Sequence, residues 1–483
     1  MKEMRILSPT AILGYGFPES SFEAGMAQKP HIIAVDAGST DPGPYYLGSG
    51  NCFVDRAGTK RDLTFMLKAA IKENIPLIIG TAGGSGARDH LQRDVEIIKE
   101  IAKENNLSFK IAVIPSDINK NTVLEALKKG NIAPLYPAPM PTEEEILNST
   151  NIVAQMGAEP ILAALNQNIN IIITGRAYDP VVFSALAIKD GFDTGLALHL
   201  GKILECAAIA ATPGSGSDCM LGILREDHFE LKALNEERKC TTTSVAAHTL
   251  YEKSDPAKLH GPGGILDLTE TTFEQNTEET VIVRGTKFIK GEYYIKLEAA
   301  RKLGMRTVSF AATADHIMIK EIPTILQSIR EKIKANFTDL KKEDYFIDFK
   351  IYGTSGVSLF GLQSAEPPTV GQNFSDYKFT SANNSDVSIN KFNLAEPPAV
   401  GGGEAAIIID VVANTKELSK ALCSFARSTM LHFGYAGRIS TAGNLAFPFS
   451  PSDFDGGEVY EFSVYALLKA DPLEHFPLEV LEL

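Results

Sequence analysis

The N-terminal part of the chain alternates between two hydrophobic periods. Four apolar runs, HIIAVDAG from His31, PLIIGTAGG from Pro76, FKIAVIPSD from Phe109 and INIIITGRAYD from Ile169, end at glycine or aspartate. Strand-length runs without polar alternation predict strands buried on both faces. Between them the period becomes helical: in the stretch from Asp89 to Glu104, Leu91, Val95, Ile98 and Ala102 fall on one stripe, and Leu63 to Glu73 behaves alike. Such alternation predicts an α/β fold, a largely parallel sheet with helices on both faces. Ligands of these sheets bind outside the carboxyl ends of the strands. Here those ends carry DAGSTD, GTAGGSGARD, PSD and GRAYD.

A long apolar helix is expected from Gly195 to Ala211, stopped by Thr-Pro-Gly-Ser-Gly-Ser. From about Asp227 the pattern shortens to alternating runs (TVIVRGTKFI, EYYIKLEA, RTVSFAATAD) with one helical segment near Ile322 to Ala335, which predicts an α+β region. Residues 362–403 are rich in Asn, Ser, Asp and Gly, contain the echo AEPPTVG/AEPPAVG, and read as an irregular loop or connection. A strand (Glu404 to Val412), a helix (Lys416 to Leu431) and a strand (Val459 to Leu468) close the chain. The expected organisation is an α/β domain over 1–226, an α+β domain over 227–361, the connection, and a C-terminal layer over 404–483 that stands alone or joins the second domain.

Composition narrows the function classes. With 44% hydrophobic and 22% charged residues among 483, the chain can build a sizeable core. Its net charge of −14 argues against nucleic acid or an anionic membrane as partner, because phosphates need a basic field, but leaves room for a small anion held by a local cluster of donors. Five scattered cysteines without a CxxC pair indicate neither a disulfide framework nor a thiolate metal site. The first residues lack a signal-peptide core, and no run reaches membrane-spanning length, so a cytoplasmic protein is expected.

The strand-end turns carry the candidate chemistry. Asp36, Ser39 and Thr40 of DAGST resemble the phosphate loop of actin-like ATPases, although Asp41-Pro42-Gly43-Pro44 would break the hairpin those loops occupy. Gly83, Gly84, Ser85 and Gly86 follow a strand and open a helix, where free backbone amides suit an anion, with Arg88 able to close over it. In TGRAYDP, Arg176 and Tyr178 suit carboxylate binding, while Asp179 reads as a proton-transfer group or simply as a helix N-cap. His199 and Glu205 interrupt the apolar helix and need partners if buried; Cys206 reads as a small core residue. Farther on, His248, Tyr251, Glu252 and Asp255 stand at i, i+3, i+4 and i+7 of a short helix, one face able to do acid–base work. No metal-ligand signature appears, and no cofactor is specified.

Taken together, ILGYGF, DAGSTDPGPYYLGSG, GTAGGSGA, TGRAYDP, HLGKILEC and VAAHTLYEKSDPAKL resemble, in this order, the acyclic terpene utilisation (AtuA-type) family over about Met4 to Asp315. The tail segments GRISTAGNLAFPFSPSD and EFSVYALLKADPLEHFP are similar to a shorter bacterial branch, and ECAAIAATPGSGSD departs from the Cys-Gly pair and GG turn of the longer members. The resemblance implies catabolism of branched carboxylic acids or their acyl-CoA esters, terpenoid acids among them, and a small ferredoxin-like-fold partner protein. From the residues themselves, the expected function is a hydratase or lyase. Gly83 to Gly86, Arg176 and Arg88 would hold a carboxylate, and Asp36, Asp179 or His248 would move a proton beside it. Alternatives are an ATP/Mg-dependent enzyme built on DAGST, or a non-catalytic subunit scaffolding a small partner; a homo-oligomer is expected in each case.

Overall fold

A computed structural model of the protein describes residues 2–250, 255–353, 403–438 and 440–483, so the connection expected over 362–403, apart from Gly403, lies outside the described residues. The chain forms two compact units, Met1–Arg301 with Phe462–Leu483, and Lys302–Glu461. In the first unit the elements run β1 (Glu3–Ser8), α1 (Glu19–Ala27), β2 (Ile32–Asp36), α2 (Pro44–Ser49), α3 (Arg56–Glu73), β3 (Leu77–Gly80), α4 (Arg88–Asn105), β4 (Lys110–Ile114), α5 (Lys120–Lys128), β5 (Ile132–Pro134), α6 (Glu143–Asn148), β6 (Asn151–Gln155), α7 (Glu159–Leu165), β7 (Ile171–Thr174), α8 (Asp179–Lys189) and α9 (Thr194–Leu204). There follow β8 (Met220–Arg225), β9 (His228–Ala233), α10 (Thr242–Thr249), β10 (Lys258–Gly261), β11 (Gly264–Asp267), β12 (Thr272–Gln275), β13 (Thr280–Arg284), β14 (Lys287–Lys290) and the first part of β15 (Tyr294–Thr313).

The parallel sheet is present, in the order β1-β2-β3-β7-β4. Val35, Ile79, Ile173 and Val113 align in one row across it. The continuous apolar runs have the expected cause, two covered faces. Ile33, Val35, Leu77, Ile79, Ile171 and Ile173 share a core with Leu63, Met66 and Leu67 of α3 and Val95, Ile98 and Ile101 of α4. Their neighbours Ile32, Ala34, Ile78 and Ile172 point the other way, into a core with Val181, Val182 and Phe183 of α8 and the apolar side chains of α9. The sheet does not end near residue 226: β8, β9, β13 and β12 extend it as an antiparallel meander beyond β1, and Glu479–Glu482 pairs antiparallel with β4 at the other edge.

One topological feature places the site. The adjacent strands β3 and β7 send their following helices, α4 and α8, to opposite faces of the sheet. Such a divergence is the switch point at whose strand carboxyl ends ligands of open α/β sheets usually bind. The helix expected from Gly195 to Ala211 is shorter than its apolar pattern implied. It ends at Leu204, and Ala207 takes a left-handed φ of +46° before a short 3-10 turn, Ala207–Ala210. A buried alanine-rich turn shows the same lack of polar residues as a buried helix, so periodicity could not separate them.

The second unit holds the remainder of β15, α11 (His316–Asn336), β16 (Tyr345–Tyr352), β17 (Ala405–Ala413), α12 (Lys416–Leu431) and the start of β18 (Asp453–Lys469). β17 pairs antiparallel with both β15 and β16, Ile409 standing opposite Ser309 and Phe349. Ile322, Ile325 and Ile329 of α11 and Leu422, Cys423 and Ala426 of α12 share a core with the alternate residues Ile407, Ile409 and Val411. Of the alternating runs that predict an α+β region, RTVSFAATAD lies in this unit, whereas TVIVRGTKFI and EYYIKLEA belong to the first. No described helix is long and apolar enough to cross a membrane.

Candidate functional site

Four turns at the carboxyl rim are fastened to one another. Thr81, directly after β3, has φ +45°, a conformation that β-branched residues avoid. Its backbone N–H donates to Gly175 O (3.1 Å) and that of Ala82 to Thr174 O (3.0 Å), so the pairing of β3 with β7 continues into both turns. The Thr81 hydroxyl accepts from Ala177 N and Arg176 Nη1, each at 3.4 Å. Glycine is required twice here: a Cβ on Gly86 would lie 2.2 Å from Arg176 N, and one on Gly38 would lie 2.7 Å from Gly84 Cα. Ser116, after β4, donates from Oγ to Gly86 O (3.1 Å) and accepts from Arg176 N (2.6 Å). Strained backbone held by surrounding bonds in this way is characteristic of functional sites.

Arg176 lies at the centre, only 2% exposed. Its Nε donates to Glu298 Oε2 (2.8 Å), and its Nη1 to Asp179 Oδ1 (2.7 Å) and Ala177 O (3.0 Å). Nη2 makes no hydrogen bond to a described residue. Glu298 also accepts from the Thr40 hydroxyl (2.7 Å) and pairs with Lys296 (2.8 Å). Burial alone would push the Glu298 carboxyl up, but the Arg176 and Lys296 charges outweigh it and bring it down to about 2. Burial likewise opposes the charge on Arg176, and Glu298 and Asp179 more than restore it. At the end of α9, Lys202 and Glu205 form a second buried pair. Tyr178, buried between the pairs, has its phenol pushed up by desolvation and then by the Glu205 charge.

A charge count isolates one group. Among the described residues three cations, Arg176, Lys202 and Lys296, face three carboxylates, Asp179, Glu205 and Glu298, in direct ion pairs. Asp36, at the end of β2, is the fourth carboxyl and is in no ion pair with a described residue. It is 6% exposed, and its Oδ1 has no hydrogen-bond partner among the described residues. Burial, then the Asp179 charge, push its pKa well above the ordinary range; Arg176 and the Thr81 hydroxyl offset only part of this. Burial and the neighbouring Asp179 charge thus both favour the protonated form of Asp36.

The other candidates divide clearly. Asp36, Thr40, Gly84, Gly86, Arg176, Tyr178 and Asp179 converge at the rim. Asp179 is not the N-cap of α8: it is the first helical residue, Tyr178 is the cap and makes no side-chain cap bond, and the Asp179 carboxylate turns to Arg176 instead. Ser39 accepts from Asp41 N in a local turn. Gly83 donates its N–H to Asp94 on α4 and abuts His90; Ser85 is buried in the same turn. The Arg88 side chain is exposed and faces Glu479 at 3.9 Å. His199 is wholly buried between the hydroxyls of Thr286 (2.7 Å) and Thr249 (3.0 Å), with its pKa lowered by desolvation to about 3. His248 is buried near Lys202, and desolvation followed by that charge lowers it to about 4.

Of the expected acid–base face, His248 lies on α10, which ends at Thr249, and Asp255 caps a turn beyond it by accepting from Ala257 N and Lys258 N; Tyr251 and Glu252 lie outside the described residues. DAGST follows a strand with parallel neighbours on both sides, not a hairpin, and its Thr40 is occupied by Glu298. The apolar α9 is buried in the first unit, so it offers no docking face. Among the described residues no group of three or more His, Cys, Asp or Glu could hold a metal ion.

Sequence reasoning missed Thr81, Ser116, Lys296 and Glu298. Glu298 carried no usable signal: in YIKLEA the apolar residues alternate as Ile295, Leu297 and Ala299, which assigns Glu298 to the polar face. Its partner Arg176 is 122 residues away.

The model of the acyclic terpene utilisation family protein AtuA matches residues 57–218 and 231–395. The chain belongs to the acyclic terpene utilisation family. The matched segments of this AtuA-family protein include Thr81, Arg176, Asp179, Lys202, Glu205 and Glu298, and begin after Asp36. Membership suggests a role in the catabolism of acyclic terpenes. Neither a curated protein nor a solved structure matches the chain.

Proposed function

We propose that this AtuA-family protein is an acid–base enzyme, a hydratase or lyase, acting on a carboxylic acid or its acyl-CoA thioester. The observation that carries it is the surplus buried carboxyl of Asp36 beside a guanidinium with one unengaged nitrogen. Glu298 and Asp179 fix two edges of Arg176, and Nη2 is left to hold a substrate oxygen and stabilise the negative charge that develops there. Because the guanidinium is already aimed, little reorganisation is needed in the transition state. In hydration of an α,β-unsaturated acyl group, the oxygen of water bonds to the β-carbon and the Asp36 proton goes to the α-carbon. The Asp36 carboxylate then takes the proton released by the added water and is restored. Dehydration runs the same steps in reverse, with the hydroxyl leaving as water.

The test is turnover of branched α,β-unsaturated acids and their thioesters, followed by NMR in deuterium oxide. Deuterium is expected at the α-carbon. Asp36→Asn and Arg176→Lys are expected to lower kcat/KM by about a hundredfold or more, the usual worth of a positioned acid or charge. Arg88→Ala, whose side chain is exposed, stays within about twofold. Full turnover in Asp36→Asn overturns the proposal.

A further inference from the structure

The mouth of the polar network is bordered by apolar side chains that water does not explain. The loop after β1 lies beside the end of β2, with Leu13 N donating to Asp36 O at 2.8 Å. Asp62 of α3, fully buried, accepts from Gly14 N (2.9 Å) and Gly16 N (3.0 Å) and so anchors Tyr15 between them, yet Tyr15 is 44% exposed. Its ring meets Phe53 at 6.2 Å, Phe53 meets Tyr46 at 5.2 Å, and Tyr46 meets the exposed Tyr45 at 5.3 Å. Phe53 in turn backs Gly84, which abuts Gly38 of the DAGST turn.

On the other side Ile209, 45% exposed, lies in the 3-10 turn Ala207–Ala210. A Cβ on Gly216 would stand 3.6 Å from Ile209 Cδ1 and 3.7 Å from both Ala11 Cβ and Tyr15 Cδ2, so Gly216 is the floor between them. β8 runs antiparallel to β1, so the segment leading into it reaches the same rim where β1 and β2 end. Tyr15 and Ile209, large apolar side chains exposed together on either side of Gly216, mark a surface that a ligand covers. The Leu13–Asp36 bond and the Phe53–Gly84 contact set this surface next to the Asp36 end of the site, and the two together match an amphiphile: a polar head at the guanidinium and an apolar chain along the rings.

We propose that the strip formed by Tyr46, Phe53, Tyr15 and Ile209 seats the hydrocarbon chain of the substrate whose polar head lies at Asp36 and Arg176, with Tyr15 and Gly216 setting the chain length. It rests on the acid–base assignment above for the position of the head. Saturated branched-chain carboxylates of increasing length are unreactive probes, and isothermal titration calorimetry reads their affinity. Each methylene seated on the strip is expected to tighten binding about fourfold. Gly216→Leu, for which the Cβ has ordinary contact distances, fills the floor and weakens the longest probe by about tenfold or more, while the shortest is unchanged. Tyr15→Ser flattens the length dependence in the same way.

An unaltered length dependence in both variants overturns the proposal. So does a change in sedimentation of Tyr15→Ser with the length dependence intact, which would make the strip a contact between two copies of the chain. Arg176→Lys separates the two ideas. Equal weakening of all probes reports on the head site; no weakening there, with length dependence still lost in Gly216→Leu, overturns the head assignment and leaves the apolar strip standing.

Discussion

Asp36→Asn distinguishes a neutral carboxyl from an ionised one, because an amide matches the acid form in shape and charge. The folded-state pKa of Asp36 is raised by burial and by Asp179. The unfolded chain loses this proton near the ordinary carboxylate value, about 3.9, while the folded protein keeps it. Between those two points the native state binds more protons than the unfolded one. Wild-type stability attributable to this group therefore falls as pH rises, by about 1.4 kcal/mol per pH unit, and levels off above the folded-state pKa. Asparagine has no such proton. The stability difference between variant and wild type is expected to grow in the variant's favour from about pH 4 upward with that slope. Urea unfolding of both proteins at several pH values measures it, and a constant offset from packing the amide drops out, since only the pH dependence is read. A difference that stays flat with pH means Asp36 is ionised in the folded protein. The charge count and the acid role would then both be wrong.

Three further outcomes test the other buried titratable groups. Glu298→Gln leaves Arg176 and Lys296 without their shared carboxylate and is expected to cost about 3–5 kcal/mol in urea unfolding. In the wild type, because Glu298 is held at about 2, its contribution of about 3 kcal/mol is complete above the ordinary carboxylate range and is lost as pH falls toward 2. His199 and His248 shift in the destabilising direction for acid: their folded values of about 3 and about 4 lie below the unfolded one. The unfolded chain gains their protons first, so stability drops as pH falls below about 6.5, each contributing about 1.4 kcal/mol per pH unit down to its folded value. Thermal unfolding of His199→Gln between about pH 6.5 and 4.5 should show a shallower acid slope than the wild type, whatever its offset.

The chain's own pattern determined its architecture to a useful depth. Continuous apolar runs at Ile32–Asp36, Leu77–Gly80, Lys110–Ile114 and Ile171–Thr174, broken by amphipathic helices, specify strands covered on both faces, and that constraint is local enough to read. The ends of those strands carry the candidate site, and Asp36, Arg176 and Asp179 were visible there because polar groups at a strand end need an explanation. What each of them does was decided by the tertiary structure. Ion pairing is a matter of distance, and Glu298 reaches Arg176 across 122 residues from a strand position that looks solvent-facing in sequence. The same holds for burial: the sequence shows only that His199 needs a partner, and the fold supplies two threonine hydroxyls, while Arg88, read as able to close over an anion, has an exposed side chain facing Glu479. A sequence gives the number of carboxyls and cations, but only the folded chain decides which of them meet. The protonation of Asp36 depends on that remainder, because the electrostatic cost of a buried charge is set by its surroundings and not by its residue type.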